Sequence, residues 1–311
     1  MSATVLPDDQ LPSGRVSTIG ERISYYTFIA LHFLAFAAYW TGVPATAVWV
    51  GIFLYWLRMF GITGGYHRYF SHRSFKTSRG LQLCFAILGT ASIQKGPLWW
   101  ASTHRKHHKY SDTPSDVHSP IQRGFWYSHI GWILSQEHVE TDMRLIKDFA
   151  RYPELVWIGR YHFVPPLALA LLCYLFCGGW AGVVVAFGWS TIAVWHCTFL
   201  INSATHLWGK RRFKTADHSR NSLILALLTM GEGWHNNHHH YMNSTNQGFY
   251  WWEVDFTLYI LKALEKVGLV WELKRPPAHV LEKDRFDRPA VVAALKPTAP
   301  GHDVGRAGEV A

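Results

Sequence analysis

The chain has 311 residues, 49% of them hydrophobic and only 16% charged, with a formal net charge of +9 and 19 His. An ordinary globular protein is about 25% charged, so this composition excludes a soluble domain with a normal polar coat, and the apolar content excludes disorder. The length and only four Cys (Cys84, Cys173, Cys177, Cys197), all in apolar stretches, exclude a disulfide scaffold and a zinc ribbon.

Residues 1–22 are polar and lack the apolar centre of a cleavable signal, so the first apolar helix is expected to do the targeting. No Asp, Glu, Lys or Arg occurs from Ile23 to Leu57. Thr41-Gly42-Val43-Pro44 divides this window, which predicts a hairpin of two helices over 23–66. Each half is roughly 18–22 residues, enough at 1.5 Å per residue to cross a hydrocarbon core of ~30 Å. A polar segment follows over 67–160, within which Leu81 to Ile93 is apolar but too short to span, and reads as re-entrant or interfacial. A second charge-free window, Tyr161 to Ile201, is divided by Cys177-Gly178-Gly179-Trp180 and predicts a second hairpin over 161–201. A second polar segment covers 202–275. Its stretch Phe249 to Leu273 mixes aromatic and charged residues as an amphipathic helix would. From Pro276 to Ala311 the chain is rich in Pro, Ala and Gly and is expected to be a flexible tail.

Thirteen Lys/Arg lie in 67–160 and fourteen in 202–311, while the two hairpin turns carry none. The positive-inside rule then puts both termini and both polar segments in the cytosol. The expected protein is an all-α multi-pass membrane protein: four transmembrane helices in two hairpins, capped by a cytosolic helical domain. The positive charge suits an anionic leaflet. It does not suggest nucleic acid, because no basic run is longer than Lys210-Arg211-Arg212.

Ten of the His fall in four short segments. His67 and His72 follow the first hairpin, and His206 follows the second, four residues after Asn202. The others are His104, His107 and His108, and His235, His238, His239 and His240. His at i, i+3 and i+4 share a helix face, which leaves His240 off the face. His67 and His72 are about 140° apart on a regular helix. They need a helix end or bend to converge, for which Gly64-Gly65 is available. Neutral imidazole suits iron, zinc, copper and nickel. Nine imidazoles divide into four and five over two metals, and a site with few carboxylates beside a membrane points to redox iron. His32 and His196 lie inside apolar helices without motif company, and His279 and His302 lie in the tail.

These motifs resemble those of the integral-membrane fatty acyl desaturases, specifically the acyl-CoA Δ9 desaturase-like branch. The matching stretches are 61–72, 104–120, 123–132, 202–209 and 231–239, within a similarity covering roughly 25–273. The resemblance implies a di-iron site held by His67, His72, His104, His107, His108, His206, His235, His238 and His239, with Asn202 bound through a water. It implies O2-dependent insertion of a cis double bond, at Δ9, into a saturated acyl chain. Two electrons come from a separate carrier of ferredoxin, rubredoxin or cytochrome b5 type, since 276–311 holds no haem-binding segment. Asp112, Asp116, His118 and His129 are expected to orient ligand imidazoles by hydrogen bonds, and Glu232 to do so for the fourth box. Periodicity places Tyr55, Met59 and Thr63 on one face below His67, where Tyr55 or Met59 would end an acyl tunnel. Gln94, Trp99 and Trp100 would line its bend. Animal acyl-CoA desaturases carry an Arg and an Asp where this chain has Ser102 and Thr103. The acyl carrier is therefore open among CoA, a carrier protein and a phospholipid. A membrane di-iron hydroxylase is the alternative, and a His-rich metal-binding or transport protein a distant third. A bacterial inner membrane is the expected location, ahead of endoplasmic reticulum.

Overall fold

The structure is a computed structural model, and it describes Val5 and residues 15–16, 21–135 and 137–286. His302 and most of the expected tail lie outside the described residues, as does most of segment 1–22.

The described chain is mostly helix. Two helices are long and apolar enough to cross a membrane: Ala45–Ser71, of 27 residues, and Gly182–His206, of 25. The other half of each expected hairpin is less regular. The apolar helix Tyr26–Thr41 has a 3-10 turn at Ala35–Ala37. Val164–Phe176 is bent by 69° from Pro153–Arg160, which precedes it. Pro165 and Pro166 explain that start: Pro is tolerated in a first helical turn and cannot continue a helix from upstream.

The helix Ala45–Phe60 continues into a π-helix over Gly61–Ser71. Pairs bonded i→i+5 face each other there, and His72 N donates to His67 O at 3.2 Å. This wide turn, rather than a bend at Gly64-Gly65, brings His67 and His72 together, with ring centroids 4.8 Å apart. The glycines serve close packing. A Cβ on Gly61 would lie 2.9 Å from Gly89 N, and one on Gly65 3.1 Å from Phe85 Cβ. The apolar stretch at Leu81 forms the helix Arg79–Thr90 against this segment, with Ser78 as N-cap.

Arg58 is fully buried between the long helices. It donates to Ser190 Oγ at 2.5 Å, Thr191 Oγ1 at 2.7 Å and Ala91 O at 3.3 Å. One apolar core, including Phe28, Leu54, Val185 and Trp195, joins the long helices. A second, around Tyr66, Phe70, Phe85, Phe149 and Leu261, lies under the polar segments. Tyr39, Trp40, Phe176 and Trp180 stay exposed at the far ends of the apolar helices.

Two short antiparallel strand pairs tie distant segments together. Arg15–Val16 pairs with Thr141–Asp142, and Lys76–Thr77 with Val270–Trp271. The expected long amphipathic helix is shorter than the stretch Phe249 to Leu273. It runs Phe256–Lys266, capped by the Asp255 side chain, and the chain turns at Gly268, where φ is +74°. Its buried face is Thr257, Leu258 and Leu261, while Phe256, Tyr259 and Ile260 remain exposed. Residues 276–286, placed by composition in a loose tail, are tied to the body. The helix Ala278–Glu282 meets His240, whose Nε2 lies 2.9 Å from Val280 O, and Phe286 N donates to Arg212 O.

Candidate metal centre

Four elements deliver the clustered histidines. The π-helix carries His67 and ends at its C-cap His72, and the helix Pro97–Tyr110 carries His104, His107 and His108. A 3-10 turn, Ala204–His206, ends with His206, and the helix His235–His240 carries the rest. Nine imidazoles gather into two groups. His67, His72, His104, His108 and His238 form one, and His107, His206, His235 and His239 the other. Within each, one ligand atom per residue lies within 4.8 Å of every other. In the first group Nε2 atoms approach to 3.0 Å (His67 to His238) and 2.9 Å (His72 to His104). In the second, His206 Nε2 is 3.1 Å from His235 Nε2. Ligands at ~2.0–2.1 Å around a tetrahedral metal are themselves separated by about 3.3 Å, so the spacing is close to that of a metal shell.

In three rings the outer nitrogen bonds a carboxylate, which leaves the inward nitrogen a lone pair whenever the ring is neutral. His107 Nδ1 bonds Asp116 Oδ1 at 2.8 Å, His206 Nδ1 bonds Asp112 Oδ2 at 2.9 Å, and His239 Nδ1 bonds Asp217 Oδ2 at 2.5 Å. A carboxylate can only accept from Nδ1–H, which leaves Nε2 unprotonated in a neutral ring. His107 Nε2 and His239 Nε2 are buried with no hydrogen-bond partner. A buried orphan acceptor is costly, and a metal satisfies it. These atoms and the all-imidazole donor set fit iron or another nitrogen-preferring metal.

Burial, reinforced by neighbouring imidazoles, holds His72, His104, His108, His235 and His238 well below the ordinary histidine range, so they stay neutral and able to ligate. Burial also lowers His239, and the Asp217 carboxylate only partly opposes it. At His107 burial again lowers the pKa, but Asp116, Asp112 and Asp217 outweigh it and the net shift is upward. Burial would raise Asp112, Asp116 and Asp217; the imidazoles and hydrogen bonds around them hold all three below the usual carboxylate range.

Asp112 and Asp116 each bond an imidazole, that of His206 and that of His107. His118 stacks on the His107 ring at 4.3 Å. Glu232 bonds His67 Nδ1, in the first box rather than the fourth, and is itself held by Arg68 Nη2 at 3.1 Å. His129 stands apart. Its nitrogens meet Ser203 Oγ at 3.1 Å and His196 Nδ1 at 3.0 Å, and His196 Nε2 in turn meets His32 Nε2 at 3.0 Å. The chain direction explains this, because the turn into Tyr127–Gly131 carries His129 back against the helix Ser190–Ser203.

Three residues of the site are not evident from the motifs. Asp217 holds His239; Gln247 Nε2 lies 3.1 Å from His67 Nδ1; Asp255 pairs with Arg68 at 2.9 Å. Carboxylates are scarce over 202–255, where only Asp217, Glu232, Glu253 and Asp255 occur, and that scarcity is the signal that could have singled them out.

Two cavities meet at the clusters and share Trp100, His104, Thr198 and Asn202 as common wall. One, largely apolar, also includes Gln94, Trp99, Trp132 and His118. The other includes Met59, Ile62, Thr63 and Thr229. Tyr55 lines neither. Its hydroxyl donates to Leu228 O at 2.5 Å, and its ring borders a separate outer groove. Trp100 Nε1 donates to Gln94 Oε1 at 3.3 Å and Gln94 Nε2 to Thr198 Oγ1 at 3.2 Å, fixing the shared wall.

Fold and site together define a helical protein with long apolar helices and a paired polyhistidine centre at the junction of two cavities. A sequence model described as fatty acid desaturase matches residues 40–272. The chain is 40% identical to the sn-1 stearoyl-lipid 9-desaturase of Anabaena variabilis, over 79% of this chain and 91% of that one. It is 37% identical to the sn-2 palmitoyl-lipid 9-desaturase of Nostoc sp. (strain 36), over 82% and 90%. It is also 43% identical to an acyl-CoA C20 Delta5-desaturase of Anemone leveillei, over 73% and 74%. The chain belongs to the fatty acid desaturase family.

Proposed function

We propose that this chain is a fatty acyl desaturase that inserts a cis double bond at Δ9 into a saturated acyl chain. The observation that carries the reading is the pair of five- and four-imidazole clusters at the junction of two cavities. An unactivated methylene has no acidic proton, so acid–base side chains cannot open it. The nine His would hold iron, one ion per cluster, which when bound would supply the activation of O2 as oxidant, with two electrons from the carrier. The acyl chain loses two hydrogens. With two electrons and two protons, O2 leaves as two waters.

The protein's own residues position and insulate. Trp100, Thr198, Met59 and Ile62 hold the acyl chain beside the clusters and exclude water. Asp112, Asp116, Asp217 and Glu232 fix the tautomer and direction of His206, His107, His239 and His67. Asn202, on the shared wall, completes the four-imidazole group through a water.

We assign hairpins 23–66 and 161–201 to the membrane, giving four crossings. Segments 67–160 and 202–275 then form a cap on the cytosolic side, where the cationic residues are concentrated. The electron carrier is separate and acidic.

Expression in a host lacking desaturase, with gas chromatography of total lipids, tests this reading. A new cis Δ9 bond is the expected product, and its appearance in free acyl-CoA or in glycerolipid identifies the carrier. No new unsaturation with a competent electron donor present counts against it. Metal analysis of protein purified from cells should give iron near two per chain. Met59, which walls the inner cavity, should limit chain length. Met59→Ala should shift products to longer chains, and an unchanged profile sinks that role.

A further inference from the structure

Desaturation needs two electrons per turnover, and the clusters are buried, so the carrier needs a place where a ligand edge meets the surface. His72 borders such a place: it belongs to the five-imidazole group and, though only 8% exposed, lies in the floor of a surface groove walled by Arg73, Lys76, Asn243, Trp271, Glu272 and Lys274. The groove is pre-built. Lys76–Thr77 pairs with Val270–Trp271, Lys274 N donates to Ser74 O, and Thr245 N donates to Lys274 O. Lys274 Nζ donates to Arg73 O at 2.8 Å. Arg73 and Lys76 are 62% exposed at the side chain.

The charge balance is positive. Asp148 pairs with Arg73 and with Arg105 behind it, and Glu272 pairs with Lys76. Those two carboxylates face four cations, counting Lys274. Trp271 adds an exposed aromatic surface beside them.

We propose that this groove docks a small acidic one-electron carrier protein and that His72 is the edge through which electrons reach the five-imidazole cluster. The inference rests on the desaturase reading. Each docking oxidises one reduced carrier by one electron, and two dockings supply the pair consumed with O2 and two protons. An anionic membrane surface would also be drawn to the cations, but it gives no reason for a metal-ligand candidate to form the groove wall.

The test uses the full chain in lipid nanodiscs and a plant-type [2Fe–2S] ferredoxin. The wild type should bind it saturably, with affinity falling steeply as salt rises. Lys76→Glu/Lys274→Glu should raise the Kd and the KM for ferredoxin about tenfold and flatten the salt dependence. Lys76→Gln/Lys274→Gln should fall between, with iron content and melting temperature reporting folding. Carbodiimide should cross-link Lys76 or Lys274 to a ferredoxin carboxylate. The proposal is overturned by absence of saturable binding, by unchanged Kd in both variants, or by cross-links confined to Lys210 and Lys214. Weakened binding to phosphatidylglycerol vesicles with unchanged ferredoxin Kd overturns it in favour of a lipid surface. If wild-type protein with reduced ferredoxin forms no double bond, the desaturase reading fails, while the Kd comparison still reads the docking site.

Discussion

At the scale of single residues, the site is a set of nine imidazoles, five of them held well below the ordinary histidine range by burial and four of them aimed by carboxylates. Glu232 is the only carboxylate on the five-imidazole group among the described residues, and Gln247 and Arg68 anchor it. Glu232→Gln should lower iron retention or activity roughly 10–100-fold, read as iron per chain and as double bonds formed. The histidine shifts also set a pH dependence. Folding lowers the pKa of His72, His104, His108, His235 and His238 by burial. Below about 6.5 the unfolded chain therefore binds protons that the folded chain refuses, and stability falls with pH. The depressed carboxylates act in the same direction at lower pH, where their contribution is lost as pH falls through their folded values. His107 opposes the trend. The melting temperature of iron-free protein should therefore drop between pH 7.5 and 5.5; a flat profile would show that the imidazoles are not buried in solution. The nine His were legible because metal ligation imposes close spacing along the chain. Asp217 and Gln247 were not, because each meets its histidine across a fold of the chain.

Among the elements, the π-helix and its neighbour matter most. Regular helical spacing puts His67 and His72 on different sides, and only the wider turn reconciles them. The sequence exposes that conflict but not its resolution, because a π-turn depends on packing against Arg79–Thr90. Gly89 is where this packing is tightest. A Cβ there would stand 2.3 Å from Tyr66 Cε1, and the Tyr66 hydroxyl is pinned by Thr90 Oγ1 at 2.7 Å and Lys95 O at 2.8 Å. Gly89→Ala should cost about 1–3 kcal/mol, seen in thermal unfolding, and should loosen the bond geometry around His67. The amphipathic segment was legible in type but not in extent, since Asp255 and Gly268 cut it to eleven residues.

For the molecule as a whole, charge patterning is the strongest signal in the sequence. The two long apolar helices begin within the two charge-free windows and extend past them to the histidines. Their partners are shorter or broken, because a 3-10 turn and a prolyl pair interrupt them. The proposed four-crossing arrangement predicts that alkaline phosphatase fused after Cys177 is active outside the cytoplasm and that a fusion after Gly209 is not. Activity at both sites, or at neither, would refute it. The division of histidines has a further consequence, for biogenesis. Both clusters draw on the segment His235–His240, one through His238 and the other through His235 and His239. Neither is complete until residues 235–239 have left the ribosome, more than three-quarters of the way along the sequence. Metal loading at either complete site therefore waits for this late segment, and nascent chains stalled before residue 235 should bind no iron at a complete site.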